Sequence, residues 1–98
     1  MPELRIEWDE AKNRDNVRKH KIPFGEAATV FYDERALFLA DPDHSDEEDR
    51  FLLLGLSARL RLLVVCHCYR ADDEVIRIIS ARKATKRECG QYFEQVMP

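Results

Sequence analysis

The sequence predicts an α+β fold in one small domain. A chain of 98 residues can bury one modest core, so residues 1–98 are expected to form a single compact domain. Helix-like patterns occupy the first third of the chain and its last residues. Between them, short apolar runs separated by brief turns are typical of strands. The predicted order is β-α-α-β-β-β-β-α, with the helices packed on the sheet.

The N-terminal third is predicted to hold one strand and two helices. Residues 5–8 are the strand candidate, and Asp9 suits an N-cap because its carboxylate can accept from the free amides of a first turn. Residues 10–20 are rich in helix formers but poor in apolar side chains, which predicts a mostly solvated helix. Residues 21–23 end this helix, and Pro23 suits the first turn of the next one. Helical spacing predicts that the second helix is buried through Phe24, Ala27, Ala28 and Phe31.

Four strands and a final helix complete the predicted fold. The strand candidates are residues 36–40, 50–56, 62–69 and 75–82, and their short connections predict an antiparallel meander. The continuous apolar run within residues 62–69 indicates a central strand covered on both faces. The last helix is predicted to begin near Thr85, because Thr85 and Glu88 have the spacing of a capping box. Its apolar stripe is expected to consist of Cys89, Tyr92, Phe93 and Val96.

Composition argues against several classes of protein. Apolar residues make up 45% of the chain and charged residues 36%, which is typical of a globular domain with an ionic surface. No apolar stretch approaches the length of a membrane span, and the N-terminus lacks the apolar core of a signal peptide. A cytoplasmic location without a membrane partner is therefore expected. The three cysteines cannot all pair with one another, which favours reduced thiols.

The net charge of −3 conceals a separation of charge along the chain. Residues 12–21 hold five cations against Asp15, and residues 77–87 hold five cations and no acid. Residues 33–49 instead hold eight acids against Arg35. A cationic cluster on an otherwise acidic protein predicts an anionic ligand, most often phosphate. We expect one anion-binding surface and one acidic surface, the alternative being that the charges mix in space.

Two segments contain metal-ligating residues without the spacing of a metal site. In a strand, Cys66 and Cys68 would face one side and His67 the other, so the three cannot share one ion. Residues 41–52 resemble a calcium loop but hold Asp46 at the position that requires glycine. The sequence therefore predicts no metal and no cofactor.

The remaining polar residues suit RNA cleavage, in which the substrate supplies its own nucleophile, the 2′-hydroxyl. The protein then has to move protons and stabilise the charge that develops on the phosphorus centre. Strand alternation predicts that Arg82 shares a face with Ile76, Ile78 and Ser80, and that Lys83 shares the other face with Arg77. The catalytic candidates are Arg82, Arg87, His20 and Lys19. The candidate RNA contacts are Lys83, Lys86, Arg77, Arg70 and Tyr92.

These candidates also have purely structural interpretations. Tyr92 has the spacing of a core residue of the last helix, although its ring could stack on a base. His20 suits a cation at the C-terminal end of a helix. The segment 77–87 also fits a solvated strand end with arginines packed along their stems.

Short segments spread in order over nearly the whole chain resemble those of BrnT-type toxins, the ribonuclease halves of type II toxin–antitoxin pairs. They are residues 7–12, Asn16 with Lys19 and His20, residues 26–33, 41–45 and 50–51, Gly55, residues 76–82, and Arg87 and Glu88 with Tyr92. Lys21 departs from the pattern, because the family often has glycine there.

The resemblance implies a RelE-like fold and an endoribonuclease that needs no metal. It also implies a cognate BrnA-type antitoxin, a small ribbon-helix-helix protein that neutralises the toxin and binds DNA, so that the toxin meets DNA only through its partner. The alternative function is a non-catalytic binding module whose basic face docks nucleic acid or an acidic protein segment.

Overall fold

The computed structural model of the chain describes residues 4–40 and 49–96, with Val96 described by its backbone alone. The elements in chain order are β1 (Arg5–Glu7), α1 (Glu10–His20), α2 (Phe24–Thr29), a 3₁₀ turn (Val30–Tyr32), β2 (Leu37–Leu39), β3 (Phe51–Leu56), β4 (Leu62–Arg70), β5 (Val75–Lys83) and α3 (Lys86–Val96). The predicted α+β class and element order are confirmed. The calcium-like segment 41–48, with much of the acidic segment 33–49, lies outside the described residues. No helix within the described residues is long and apolar enough to cross a bilayer.

The strands form one mixed sheet in the order β1-β5-β4-β3-β2. Strands β2 to β5 are the predicted antiparallel meander, and β1 adds to the other edge by pairing parallel with β5. β4 lies at the centre, and its residues Leu63, Val64 and Val65 are buried. The continuous apolar run of the sequence therefore marks a strand covered on both faces.

Helices cover both faces of the sheet. α1, α2 and the 3₁₀ turn lie on one face, where the larger core consists of Ile22, Phe24, Ala27, Val30, Leu53, Leu63, Val65, Ile78 and Ala81. α3 lies on the other face, where its Tyr92 packs with Leu54 and Val64. Of the predicted α3 stripe, Tyr92 is buried, whereas Phe93 is 49% exposed.

The helix boundaries follow local signals. The Asp9 side chain accepts a hydrogen bond from the amide of Ala11 at 2.8 Å, which confirms the predicted N-cap of α1. Lys21 ends α1 in the left-handed conformation, with φ 63°, and glycine favours this conformation most. At α3, Thr85 and Glu88 exchange side-chain and backbone hydrogen bonds as the capping box predicts.

Asn16 fixes α1 against the part of β5 that extends beyond β1. Its side chain donates to the carbonyl oxygen of Ala81 at 2.9 Å and accepts from the Ala81 amide at 3.1 Å, as a neighbouring strand would. It also donates to the carbonyl oxygen of Ile22 at 2.8 Å. The side chain is buried, so each lost bond would leave a polar backbone group unsatisfied.

A β-bulge interrupts the alternation of side chains along β5. Cys66 of β4 pairs with Ser80, but the next residue, His67, pairs with Ile78, so Ile79 is the extra residue. Such an insertion reverses the side-chain phase of every residue beyond it.

Arg82 shares a face with Ser80, as predicted, but the bulge makes the predicted sharing with Ile76 and Ile78, and that of Lys83 with Arg77, wrong. Arg82 lies opposite Val64, on the face that α3 covers, and not on the face of Ile78. Lys83 lies on the face of Ile78 and not with Arg77. Strict period-two alternation fails here because the phase changes at one residue in the middle of the strand.

Candidate functional site

Cations gather at one end of the sheet, which we call the basic end. The β3–β4 turn brings Arg59 and Arg61 to this end, and Lys83 is brought there by its pairing with Leu63. α3 begins three residues after Lys83, and the C-terminal end of α1 reaches the same place. The cations of the basic end are Lys21, Arg59, Arg61, Arg82, Lys83, Lys86 and Arg87.

Acids gather at the opposite end, the acidic end, which comprises Asp49, Asp72, Asp73 and Glu74. The β4–β5 turn carries three of them, and Asp49 precedes β3 at the same end of the strands. Arg5 and Arg70 also lie at this end, and the basic end holds the carboxylates of Glu26, Asp33 and Glu88. Among the described residues, the separation of charge along the strand axis is therefore a bias and not complete.

A cavity of about 330 Å³ opens at the basic end between α2 and the β3–β4 turn, lined by Lys21, Pro23, Arg59 and Arg61. Arg61 donates through its Nε to the buried carboxylate of Glu26 at 2.9 Å. Hydrogen bonds from Arg61 and Ser57 hold the pKa of Glu26 below its usual value, although burial opposes them. Within the described part of the chain, Lys21 and Arg59 form no ion pair, although Arg59 contributes to the lowered pKa of Glu26 and the Lys21 ammonium donates to the carbonyl oxygen of Arg18 at 3.3 Å. Both side chains are exposed and can contact an anionic ligand.

A second cavity, of about 290 Å³, lies between α1 and the bulged part of β5. It is lined by Lys12, Asp15, Asn16, Lys19, His20, Ile79 and Ser80. The Lys19 ammonium lies 3.1 Å from Asp15, and the hydrogen bond from Lys19 lowers the pKa of Asp15. His20 is exposed and its ring makes no hydrogen bond within residues 4–40 and 49–96, so it is accessible for proton transfer.

The two catalytic candidates of α1 thus lie together, close to the strand that carries Arg82. Ser80 lines the cavity and Arg82 lies two positions further along the same face of β5. That spacing corresponds to about 7 Å along a strand.

Arg82 is held by a carboxylate. Its two terminal nitrogens donate to the two oxygens of Glu88 at 2.8 and 3.0 Å, in the bidentate geometry of a strong ion pair. This pair is the main reason that the pKa of Glu88 falls to about 2. The Arg82 side chain is 39% exposed, so it remains partly accessible to solvent. Its charge is largely balanced within the protein.

Three of the predicted RNA contacts do not belong to the exposed cations of the basic end. Arg77 forms an ion pair with Glu7 at the β1 edge, and Arg70 lies at the acidic end. Tyr92 is 4% exposed, and its hydroxyl donates to Asp33 at 2.7 Å. Burial and this bond raise the pKa of Tyr92 to about 12. Because the ring is buried, no face of it is accessible for stacking on an RNA base. The core interpretation of Tyr92 therefore fits the structure.

Three predicted residues at the end of β5 and the start of α3 do lie at the basic end. Lys83, Lys86 and Arg87 are exposed, and none of them forms an ion pair within the described residues. Lys86 and Arg87 occupy the first turn, where the helix dipole opposes a cation but favours an anionic ligand.

Arg59 and Arg61 of the first cavity are not among the predicted site residues, and Lys21 enters the prediction only as one of the five cations of residues 12–21. They belong to connections between elements, where no periodicity points to a shared face. The signal available in the sequence was the pair of arginines at 59 and 61 beside the turn after β3.

The Cys66-His67-Cys68 triplet is divided between the two faces, as predicted. The His67 ring contacts that of Phe31 on the α2 face, with centroids 4.7 Å apart, whereas Cys66 and Cys68 alternate to the α3 face. Over residues 4–40 and 49–96, no group of three or more His, Cys, Asp or Glu side chains is arranged to hold a metal ion.

Comparisons with known proteins agree with the fold and identify a family. The model of a family described as "Ribonuclease toxin, BrnT, of type II toxin-antitoxin system" matches residues 8–88. The crystal structure of the Brucella abortus ribonuclease toxin, BrnT, is similar with a TM-score of 0.64 and 23% sequence identity, over 86% of this chain and 100% of that one. At that identity the structural similarity supports the fold alone. A search of curated proteins found no match.

Proposed function

Because the chain belongs to the BrnT family of ribonuclease toxins of type II toxin–antitoxin systems, we propose that it is an endoribonuclease that binds and cleaves RNA at the basic end of its sheet. The observation that carries the location is the gathering at that end of exposed cations that form no ion pair within the described residues. Lys21, Arg59, Lys83, Lys86 and Arg87 come from separate segments of the chain, and all of them are exposed. A surface of this kind attracts the phosphates of a single strand.

The proposed reaction uses the 2′-hydroxyl of the substrate. The 2′-oxygen forms a bond to the adjacent phosphorus while the bond from phosphorus to the 5′-oxygen breaks, which gives a 2′,3′-cyclic phosphate and a free 5′-hydroxyl. One proton leaves the 2′-hydroxyl and one reaches the 5′-oxygen, and we assign these transfers to His20 or Lys19. No step requires a metal ion or cofactor.

Cations stabilise the charge that develops on the phosphate oxygens. Arg87 is a candidate for this role because it forms no ion pair within the described residues, and Lys83 and Lys86 are proposed as further phosphate contacts. Arg82 is a second candidate, whose guanidinium is fixed in one orientation by its ion pair with Glu88. Fixed donors need no reorganisation during the reaction, but the phosphate has to compete with Glu88 for this cation.

The test of the reaction is cleavage of a long single-stranded RNA by the purified chain in excess EDTA. We expect cleavage to persist, and the upstream fragments to end in 2′,3′-cyclic phosphates by mass spectrometry. A substrate with 2′-deoxyribose at the cleaved position should be resistant. Intact RNA after incubation with well-folded protein would reject the enzyme.

The test of the site is a set of single substitutions read by cleavage rate. Arg87→Ala should lose about 3 kcal/mol of transition-state stabilisation, roughly a hundredfold in rate, by analogy with single donors to a developing oxyanion. His20→Ala should also lower the rate. Arg14→Ala is the matched control, because Arg14 is an exposed cation of α1 that lines neither cavity. A wild-type rate for Arg87→Ala would remove that residue from the site.

Membership of a type II family implies an antitoxin partner, and we propose that it is a BrnA-type ribbon-helix-helix protein. The toxin would then contact DNA only through this partner and act on RNA in the cytoplasm. Coexpression of the small protein encoded beside the toxin gene should relieve the growth arrest caused by the toxin alone.

A second candidate function has one observation in its favour. Arg82 and Lys19, two of the four proposed catalytic residues, are paired to carboxylates. A binding module with the same basic end would bind RNA in a salt-sensitive way without turnover. The EDTA experiment with cyclic-phosphate detection separates the two functions.

A further inference from the structure

An aromatic groove lies at the acidic end, remote from the proposed RNA site. Two adjoining cavities form it, of about 560 and 370 Å³, and both are lined by Tyr69 and Asp73. The larger also contacts Phe51, and the smaller contacts Phe31 and Phe38. The proposed RNA cleavage uses none of these residues.

The floor of the groove is a cluster of rings around His67. The ring centroids of Phe31 and Tyr69 lie 4.7 and 5.4 Å from that of His67, and those of Phe38 and Phe51 lie 6.2 and 6.0 Å away. Two of these rings are open to solvent, since Phe38 is 64% exposed and Phe51 is 37% exposed. Exposed aromatic rings beside a concave surface are characteristic anchor points for a protein partner.

His67 contributes no positive charge to the groove. It is fully buried, and its Nδ1 lies 3.1 Å from the carbonyl oxygen of Val65, which requires the proton to be on Nδ1. Burial lowers the pKa of His67, so the ring is neutral at physiological pH.

The rim of the groove is acidic. Asp33, Asp49, Asp73 and Glu74 line the two cavities, and Arg5 is the one cation among their described lining residues. Within the described residues, the carboxylates of Asp73 and Glu74 form no ion pair. A ligand with its own negative charges, RNA included, would be repelled here, whereas an apolar segment that carries lysines or arginines would satisfy both the rings and the rim.

We propose that this groove is the docking site for a cationic, apolar segment of the cognate antitoxin, with a large apolar side chain on Phe38 and Phe51 and basic side chains at Asp73 and Glu74. The identity of the partner rests on the proposed function. Because the groove and the basic end lie at opposite ends of the sheet, the antitoxin is held at a place where RNA does not compete for the same contacts.

The experiment titrates the purified ribbon-helix-helix protein encoded beside the toxin gene into the full-length chain. Phe38→Ala should weaken binding about tenfold or more, as expected for an anchor residue, whereas Phe93→Ala should change it less than about threefold. Phe93 is the matched control, because it is an exposed phenylalanine of α3 outside the groove. Circular dichroism of each variant establishes that the fold is retained.

Charge is tested in the same titration. Glu74→Lys should weaken binding and flatten its dependence on salt, whereas Glu94→Lys, an exposed acid of α3, should leave both unchanged. Wild-type affinity for Phe38→Ala, or equal losses at Phe38 and Phe93, would overturn the proposal.

RNA cleavage by the same variants separates this inference from the proposed function. Phe38→Ala should cleave RNA at the wild-type rate, and a loss of cleavage with antitoxin binding unchanged would make the groove an RNA site and overturn the inference. If the wild-type chain binds the partner through the groove but cleaves no RNA, the proposed function fails and the docking site stands.

Discussion

At the scale of single residues, Glu88 connects three features that the sequence presents separately. Its carboxylate accepts from the amide of Thr85 at 2.8 Å, which caps α3, and it binds Arg82 in a bidentate pair. One side chain therefore fixes the start of a helix and the orientation of a proposed catalytic cation. The Glu88 side chain is 16% exposed, so the pair is only partly screened by solvent.

Glu88→Gln should change how stability depends on pH. The pKa of Glu88 is about 2 in the folded protein and ordinarily 4.5, so its charge stabilises the fold above pH 4.5 and this contribution is lost as the pH falls toward 2. At neutral pH the substitution should cost about 1–2 kcal/mol after allowance for screening. Between those two pH values, the stability of the variant should fall less steeply than that of the wild type.

Urea unfolding at a series of pH values measures this effect. Glu94→Gln, at an exposed position of α3, supplies the control for removing one surface carboxylate. Parallel pH curves for the wild type and Glu88→Gln would show that the ion pair contributes nothing to stability.

At the scale of elements, the 3₁₀ turn lies close to β3 only because residue 55 is glycine. A methyl group placed there would lie 2.8 Å from Val30 Cγ1, 3.1 Å from Ala36 Cβ and 3.2 Å from Asp33 Oδ2. Asp33 in turn accepts from the amide of Leu56 at 2.8 Å and from the hydroxyl of Tyr92. The close approach therefore helps to position a carboxylate that ties the 3₁₀ turn to β3 and α3.

Gly55→Ala should destabilise the fold by about 1–3 kcal/mol, because the buried neighbours have to move apart. Gly90→Ala should instead stabilise it by about 0.5–1 kcal/mol, since Gly90 lies inside α3 with open space around it. The midpoints of urea unfolding measure both effects. Equal midpoints for the wild type and Gly55→Ala would mean that the 3₁₀ turn moves away from β3 without loss of stability.

At the scale of the whole molecule, the fold turns charges that are scattered along the sequence into a basic end and an acidic end. The antiparallel connections cause this, because the β3–β4 turn and the end of β5 lie at one end of the strands and the β4–β5 turn at the other. A molecule of small net charge thereby presents two surfaces of opposite sign. RNA and a basic partner would approach it from opposite directions.

Arg59→Gln should weaken RNA binding and reduce its dependence on salt, whereas Glu74→Gln at the acidic end should leave both nearly unchanged. Each phosphate contact contributes roughly 0.7 to the slope of log affinity against log salt for a single strand, so the slope should fall by about that amount. Titration of a 2′-O-methyl oligonucleotide, which cannot react, measures affinity without cleavage. An unchanged slope for Arg59→Gln would place the bound RNA elsewhere.

Local chemistry made most of the fold predictable from the sequence. The N-cap at Asp9, the capping box of Thr85 and Glu88 and the apolar run of β4 each depend on residues within a few positions of one another. Their signals therefore survive without knowledge of the fold, and the element order follows from them. The acidic block 33–49 is described only at its two ends, and three of the four acids of the acidic end come instead from the β4–β5 turn, which the charge blocks of the sequence did not indicate.

Only the tertiary structure decided which charges are balanced and where each side chain faces. The bulge at Ile79 changes the faces on which Arg82 and Lys83 lie. Next to it, the backbone of Ala81 is hydrogen-bonded to Asn16, which lies 65 positions away in the chain. The pairing of Arg61 with Glu26 likewise joins residues 35 positions apart. Contacts between distant residues leave no periodic trace in a sequence, because they form only when the packed elements bring those residues together.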